Sequence, residues 1–306
     1  MNYMKNFILV GLMALSTFSG QACDLCGCSN GGSFFGILPQ GHRGFLGVRY
    51  RYNSFNSHLT SLNLSSREQF RTAELWGRFY PAKRVQVMAF VPYQFSQQTL
   101  LKTGAVTPLS GLGDITIVAH YNLINTFMDD SIVHAVNHNL LVGGGVKLAT
   151  GRFRYDENSL LDVANANFQL GTGSTDWIGN LIYTARYKNW GLNTDVSYRV
   201  TTTNPNGYRF GNRLNTSASV FYLTSLGSRS IMPNAGVFVE QAGHDIREGV
   251  MNKQTGGYAT YLNLGTEVYL NKLSFGVSYR HPLSQYLSEG ELLANDQLTT
   301  HVTFLF

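Results

Sequence analysis

Leu273-Ser-Phe-Gly-Val-Ser-Tyr-Arg280 and, after a polar interval, Leu298-Thr-Thr-His-Val-Thr-Phe-Leu-Phe306 decide the fold. In the first piece Leu273, Phe275, Val277 and Tyr279 alternate with Ser274, Gly276, Ser278 and Arg280. In the second, Leu298, Thr300, Val302, Phe304 and Phe306 alternate with Thr299, His301 and Thr303. A period of two marks a strand with one apolar face and one polar face, and here the polar face carries charge. A soluble sandwich alternates too, so the two ends of the chain must discriminate.

The aromatic ending at Phe306 resembles the terminal signal of outer-membrane β-barrels, and that resemblance implies handling by the barrel assembly machinery through the C-terminal strand. At the other end, Lys5 precedes an apolar run from Phe7 to Leu15, then small and polar residues to Ala22. This is the shape of a secretory signal peptide over residues 1–22, too short for a spanning helix. Gly20-Gln21-Ala22 fits ordinary cleavage, whereas Ala22-Cys23 places a lipidated Cys23 at the mature terminus; Gln21 departs from the lipobox pattern.

Hydrophobic residues make up 43% of the chain and charged residues only 13%, with 32 Gly, 17 Tyr and 19 Phe. Low charge with many aromatics and glycines fits a lipid-facing all-β barrel better than a soluble enzyme. No later stretch is a long unbroken apolar run, which excludes a helical membrane protein. A net charge of +5 without a basic block excludes a nucleic-acid partner. The partners implied are outer-membrane lipid and a small-molecule solute.

Alternating segments recur from residue 44 onward: Gly44 to Phe55, Glu68 to Tyr80, Lys83 to Phe95, a strand carrying Ile115 to Leu123, Asn137 to Leu148, Trp190 to Thr203, Tyr208 to Thr224, Ile231 to Gly243 and Tyr258 to Leu270. Phe168 to Gly173 also has strand character, interrupted by Gly171 and Gly173. Fusing Asn165 to Tyr187 into one bent strand puts the long loops on one rim and the short turns at Pro81, Asn189, Leu226 to Arg229 and Asn271 on the other. The count becomes twelve, an even number that closes antiparallel; fourteen is the alternative. A lateral gap at the bend would release hydrophobic solutes sideways.

The alternation points Arg49, Arg51, Glu74, Arg78, Asp114, His120, Lys147, Arg186, Asp195, Arg199, Glu267, Arg280 and His301 into the lumen. Charges on the lipid face cost about 2–4 kcal/mol near the midplane, the physical reason for the segregation. An excess of basic lumen residues favours anionic or neutral polar solutes over cations. Tyr50, Tyr52, Phe79, Tyr93, Tyr187, Tyr198, Tyr222 and Tyr279 face outward as belts.

Residues 23–43 form a separate Cys- and Gly-rich segment. Cys23, Cys26 and Cys28 suit a soft metal with His42 as fourth ligand, a disulfide, or lipidation of Cys23 beside an incidental pair. No Cys-x-x-Cys-His appears, so covalent haem is not supported. No Gly-x-Ser-x-Gly elbow appears either, and the chain does not read as an enzyme.

Gly111-Leu-Gly-Asp114, Gly145-Val-Lys-Leu-Ala-Thr-Gly151, Gln169-Leu-Gly-Thr-Gly-Ser174 with Asp176-Trp177, Tyr198-Arg199 and Tyr208-Arg-Phe-Gly-Asn212 together resemble the outer-membrane transporters named after the meta-pathway of phenol degradation, themselves related in outline to long-chain fatty acid transporter barrels. The resemblance is taken to extend over roughly residues 36–306, the quoted pieces lying between Gly111 and Asn212, and Ala149 stands where the family more often has Pro. The resemblance implies porin-like passive passage of small, often hydrophobic molecules with no cofactor. The Cys-x-x-Cys-Gly-Cys leader resembles that of barrel proteins from bacteria of the Bacteroides group. The competing expectation is a non-transporting structural or assembly barrel whose Cys-rich segment binds a soft metal or a partner protein.

Overall fold

The computed structural model describes residues 44–61, 65–128, 134–154, 167–227 and 229–306. In chain order its strands are β1 (Phe45–Ser57), β2 (Ser66–Ala82), β3 (Val85–Leu100), β4 (Val106–Leu112), β5 (Thr116–Asn125), β6 (Asn137–Lys147), β7 (Asp176–Tyr187), β8 (Trp190–Val200) and β9 (Tyr208–Arg209). There follow β10 (Arg213–Tyr222), β11 (Thr224–Leu226), β12 (Arg229–Ala242), β13 (Asp245–Arg247), β14 (Val250–Asn252), β15 (Gly257–Leu270), β16 (Leu273–Leu287), β17 (Leu292–Ala294) and β18 (Gln297–Leu305). No helix among the described residues is long and apolar enough to cross a membrane; the crossing elements are strands.

Twelve of these strands, β1, β2, β3, β5, β6, β7, β8, β10, β12, β15, β16 and β18, form one closed antiparallel barrel. The seam is a ladder running from Phe45 opposite Leu305 to Tyr52 opposite Leu298. Closure leaves no unpaired wall edge, which is how a sheet satisfies its backbone in lipid. The short strands β9, β13 and β14 make a separate three-stranded sheet above the outer rim.

Burial follows the period of two. On β1 the inward Phe45 and Arg49 are 1% and 3% exposed, while the outward Leu46 and Val48 are 53% and 56% exposed. Outward aromatics fall into two belts, Phe79, Tyr121, Tyr187, Trp190 and Phe304 on one side and Tyr93, Trp177, Tyr198, Tyr258 and Tyr279 on the other. Trp190 to Tyr198 is eight steps, roughly 27 Å along the strand at ~3.4 Å each. With a tilt of ~40° that spans about 21 Å of height, close to the apolar band of outer-membrane barrels.

Three details differ from the sequence expectation. The reversal after β2 falls at Lys83-Arg84, with Pro81 and Ala82 still in the strand, because Ala82 pairs with Val85. β5 ends at Asn125 and β6 begins at Asn137 on the rim of the short turns, so that rim carries one longer link. Most important, residues 167–175 are not a strand, and the fused Asn165 to Tyr187 strand does not exist. The β6–β7 ladder is continuous from Lys147 opposite Asp176 to Asn137 opposite Arg186, so no gap opens in the wall at Gly171 or Gly173. The count of twelve holds because that segment leaves the wall altogether.

The glycines of β6 explain themselves at two positions. A Cβ at Gly143 or Gly145 would run into the backbone of β5 beside His120 and Val118. Both glycines face inward, and their bareness lets β5 approach closely.

Candidate functional site

The segment Asn167–Ser174 is nearly all buried, and its partners are inward-facing side chains of the wall. Gln94 on β3 donates to the Leu170 carbonyl at 2.9 Å. Phe168 packs on Phe70 of β2 with ring centroids 5.8 Å apart. The described stretch before β7, Asn167–Ser174, therefore folds back into the outer mouth of the barrel.

One lysine organises this fold-back. Lys147 Nζ, at the end of β6, donates to Asp114 Oδ2 at 2.8 Å and to the Ser174 carbonyl at 3.0 Å, and it also donates to the Thr172 hydroxyl. Asp176 Oδ2, at the start of β7, lies 3.0 Å away. Asp114 uses its other capacity on the loop itself, accepting from the Gly151 and Thr172 amides at 2.9 Å each. Gly171 sits against Gly151 and the Asp114 carboxylate with no room for a Cβ. This packing is the physical reason for the glycines in Gln169-Leu-Gly-Thr-Gly-Ser174: they bring the segment to the carboxylate, and do not bend a strand.

Below this latch several inward charges are paired across strands. Arg49 Nε donates to Glu74 Oε1 at 2.8 Å, and Arg51 Nη2 to Glu74 Oε2 at 2.9 Å. His301 Nε2 lies 3.1 Å from Glu267. His120 Nε2 donates to Asn180 Oδ1 at 2.6 Å, and Asn180 donates onward to Asp195 at 3.0 Å. Arg78 lies over the Phe45 ring and Arg186 over Phe127, 5.1 and 5.0 Å from the centroids. Arg199 stands opposite Arg213 in the β8–β10 ladder. Arg49, Glu74, Arg78, Asp114, His120, Lys147, Asp195, Arg199 and Glu267 are buried, and Arg51, Arg186, Arg280 and His301 are half-buried.

In the outer half an apolar cluster joins Phe55, Phe70, Phe238, Ala259, Tyr261, Leu287, Leu292 and Ala294, with Phe168 against it. Arg280 lies 4.0 Å over the Phe238 ring, and Tyr261 donates to Glu240 at 3.2 Å. Arg213 and Glu240 belong to the site although the sequence reading did not name them, and Asp176 and Thr172 although it named them only within the glycine motifs. Arg213 and Glu240 follow from strand parity alone; Thr172 has no such signal, because its segment has no period.

Above the rim, Asp245 closes the three-stranded sheet. Its carboxylate accepts from the Tyr208 hydroxyl at 2.5 Å and the Gly211 amide at 2.7 Å. Burial pushes this carboxyl above the usual carboxylate range, against the pull of those two bonds. The expected soft-metal ligands Cys23, Cys26, Cys28 and His42, and the lipidation site Cys23, lie outside the described residues. Among the described residues no group of three His, Cys, Asp or Glu could hold a metal ion.

No family model matches the chain, and no curated protein matches it. Among solved structures it is similar to an outer-membrane channel from Pseudomonas putida F1, with 14% identity over 89% of this chain and 100% of that one and a TM-score of 0.63. It is also similar to the β-domain of the Bordetella autotransporter BrkA, with 11% identity over 87% of this chain and 100% of that one and a TM-score of 0.52. At these identities the likeness concerns the fold. With its closed ladder and outward apolar band between two aromatic belts, the chain is a twelve-stranded β-barrel of the outer membrane.

Proposed function

We propose that the barrel is a passive channel for small organic solutes, with Asn167–Ser174 as its constriction. The observation that carries this reading is the latch at Lys147. A connection folded into the mouth is held there by charge-assisted bonds at one end of β6, an attachment that can be released without dismantling the wall. The fold likeness to an outer-membrane channel and the resemblance of the glycine motifs to the meta-pathway transporters support it.

The solute is small and apolar or aromatic, with a neutral or anionic polar group. Phe55, Phe70, Phe168, Phe238 and Tyr261 offer ring faces in the outer half. Arg49, Arg51, Arg199, Arg213 and Arg280 place guanidinium groups on several inward faces, and such rings select against cations. Reconstitution in planar bilayers tests the reading. Small unitary conductance, enlarged when residues 167–174 are replaced by a short Gly-Ser link, is expected; silence of both proteins overturns it.

A structural or assembly role is the second reading. It is favoured by the Arg49–Glu74–Arg51 triad, in which inward charges satisfy one another between β1 and β2. Silence in the same bilayer experiment would select it.

A further inference from the structure

The inner face of β2 is taken by Glu68, Phe70, Glu74 and Trp76, which places Arg67 and Arg71 on the outer face. Among the described residues no other Lys or Arg occupies the outward face of a wall strand in the outer half of the barrel. Their partners are neutral amides. Arg67 Nε donates to Asn56 Oδ1 at 3.2 Å, and Arg71 Nη2 donates to Gln69 Oε1 at 3.0 Å, an oxygen that also accepts from Gln97 at 2.9 Å. Neither forms an ion pair among the described residues. Asp296, an outward carboxylate near this register, is two strands across, roughly 10 Å at ~4.8 Å per strand. It is already bound to His281 at 2.7 Å.

Height in the membrane says what surrounds these groups. Arg71 is opposite Tyr52, two residues beyond Ala73, whose ladder partners are Tyr50 and Tyr93. Tyr50 in turn stacks on Phe95 with centroids 6.1 Å apart. Arg71 therefore emerges at the outer aromatic belt, and Arg67, four residues further along the strand, stands about 10 Å higher, in the headgroup layer. Below them Val48, Ala73, Leu75 and Val91 make an apolar face suited to acyl chains. A guanidinium at this height needs an anion, and its planar fork fits a phosphate through two parallel bonds.

We propose that Arg67 and Arg71 form a binding site for the phosphates of an outer-leaflet glycolipid, with Asn56, Gln69 and Gln97 hydrogen-bonding its sugars and the apolar face below receiving its chains. The site is independent of solute passage. Lipid A is the probe: native mass spectrometry of the full barrel in detergent, titrated with lipid A, is expected to show a discrete one-to-one adduct. The R67Q/R71Q variant should weaken it about tenfold or more, the loss of two charge-assisted contacts. The charge-conserving R67K/R71K variant should retain most of it, and phosphate-free lipid A should not bind the unmodified protein. Undiminished binding to a folded R67Q/R71Q barrel overturns the proposal. So does equal binding of phosphate-free lipid A, a comparison that needs no variant and decides the matter if the substitutions prevent folding. Inorganic phosphate binding as tightly as lipid A also overturns it, because a free anion would then be the ligand.

Discussion

Lys147 Nζ stands between two carboxylates from different elements, 2.8 Å from Asp114 and 3.0 Å from Asp176, with all three side chains buried. Removing the cation leaves two buried carboxylates without their common partner, a change that costs about 3–5 kcal/mol. Lys147→Met should therefore lower the unfolding temperature and release residues 167–174 from the mouth. The check is bilayer conductance beside heat-modifiable gel migration: a folded barrel with larger conductance than the parent is expected.

Glu74 holds both Arg49 and Arg51. Glu74→Gln keeps the shape and removes the charge that balances two guanidinium groups. Reversal potentials across a salt gradient should shift toward anion selectivity, with a stability loss of about 3 kcal/mol.

The Asp245 carboxyl is raised by burial, so its folded value lies above the unfolded value of ~3.9. The sign is that of a raised acid: its stabilising effect is complete below the unfolded value and is lost as pH rises through the folded one. The β13–β14 hairpin should open more readily at alkaline than at acidic pH. Protease nicking at Lys253, compared with Asp245→Asn at each pH, checks this; the variant should remove the pH dependence.

Phe306 donates its amide to the Gly44 carbonyl at 3.0 Å, and its ring covers the position a Gly44 Cβ would take. Deleting Phe306 removes the last bond of the seam and the ring packed over Gly44. Less folded barrel in the outer membrane is the expected result, measured as the heat-modifiable fraction.

Intact mass of the mature protein divides the roles open to Cys23, Cys26 and Cys28. An acylglyceryl gain marks lipidation at Cys23, loss of two hydrogens marks a disulfide, and a zinc or copper adduct abolished by C26S marks a metal site. Three free thiols without an adduct would remove all three readings.

The wall was legible in the sequence because each strand is bathed by lipid on one side and by polar groups on the other, so Arg49, Glu74 and Arg280 declare their direction by parity. The Asn167–Ser174 segment was not. Inside a barrel mouth no medium imposes a period, and Phe168, Leu170 and Thr172 are buried on account of neighbours more than fifty residues away, such as Asp114 and Gln94. Glycines that serve close packing there look the same in sequence as glycines that bend a strand. Arg67 and Arg71 break the outward pattern, and the break itself is the signal.

The seam also has a kinetic meaning. Phe45 and Leu305, about 260 residues apart, are ladder partners, so the final closing contact is among the least local the chain can make. Until β18 docks on β1, the two longest-separated strands expose unpaired backbone, and no smaller subset of strands is free of edges. Formation of the barrel is thus all-or-none by topology: intermediates are open sheets that need an external partner along their edges, and completion converts a sticky ribbon into an object with nothing left to pair.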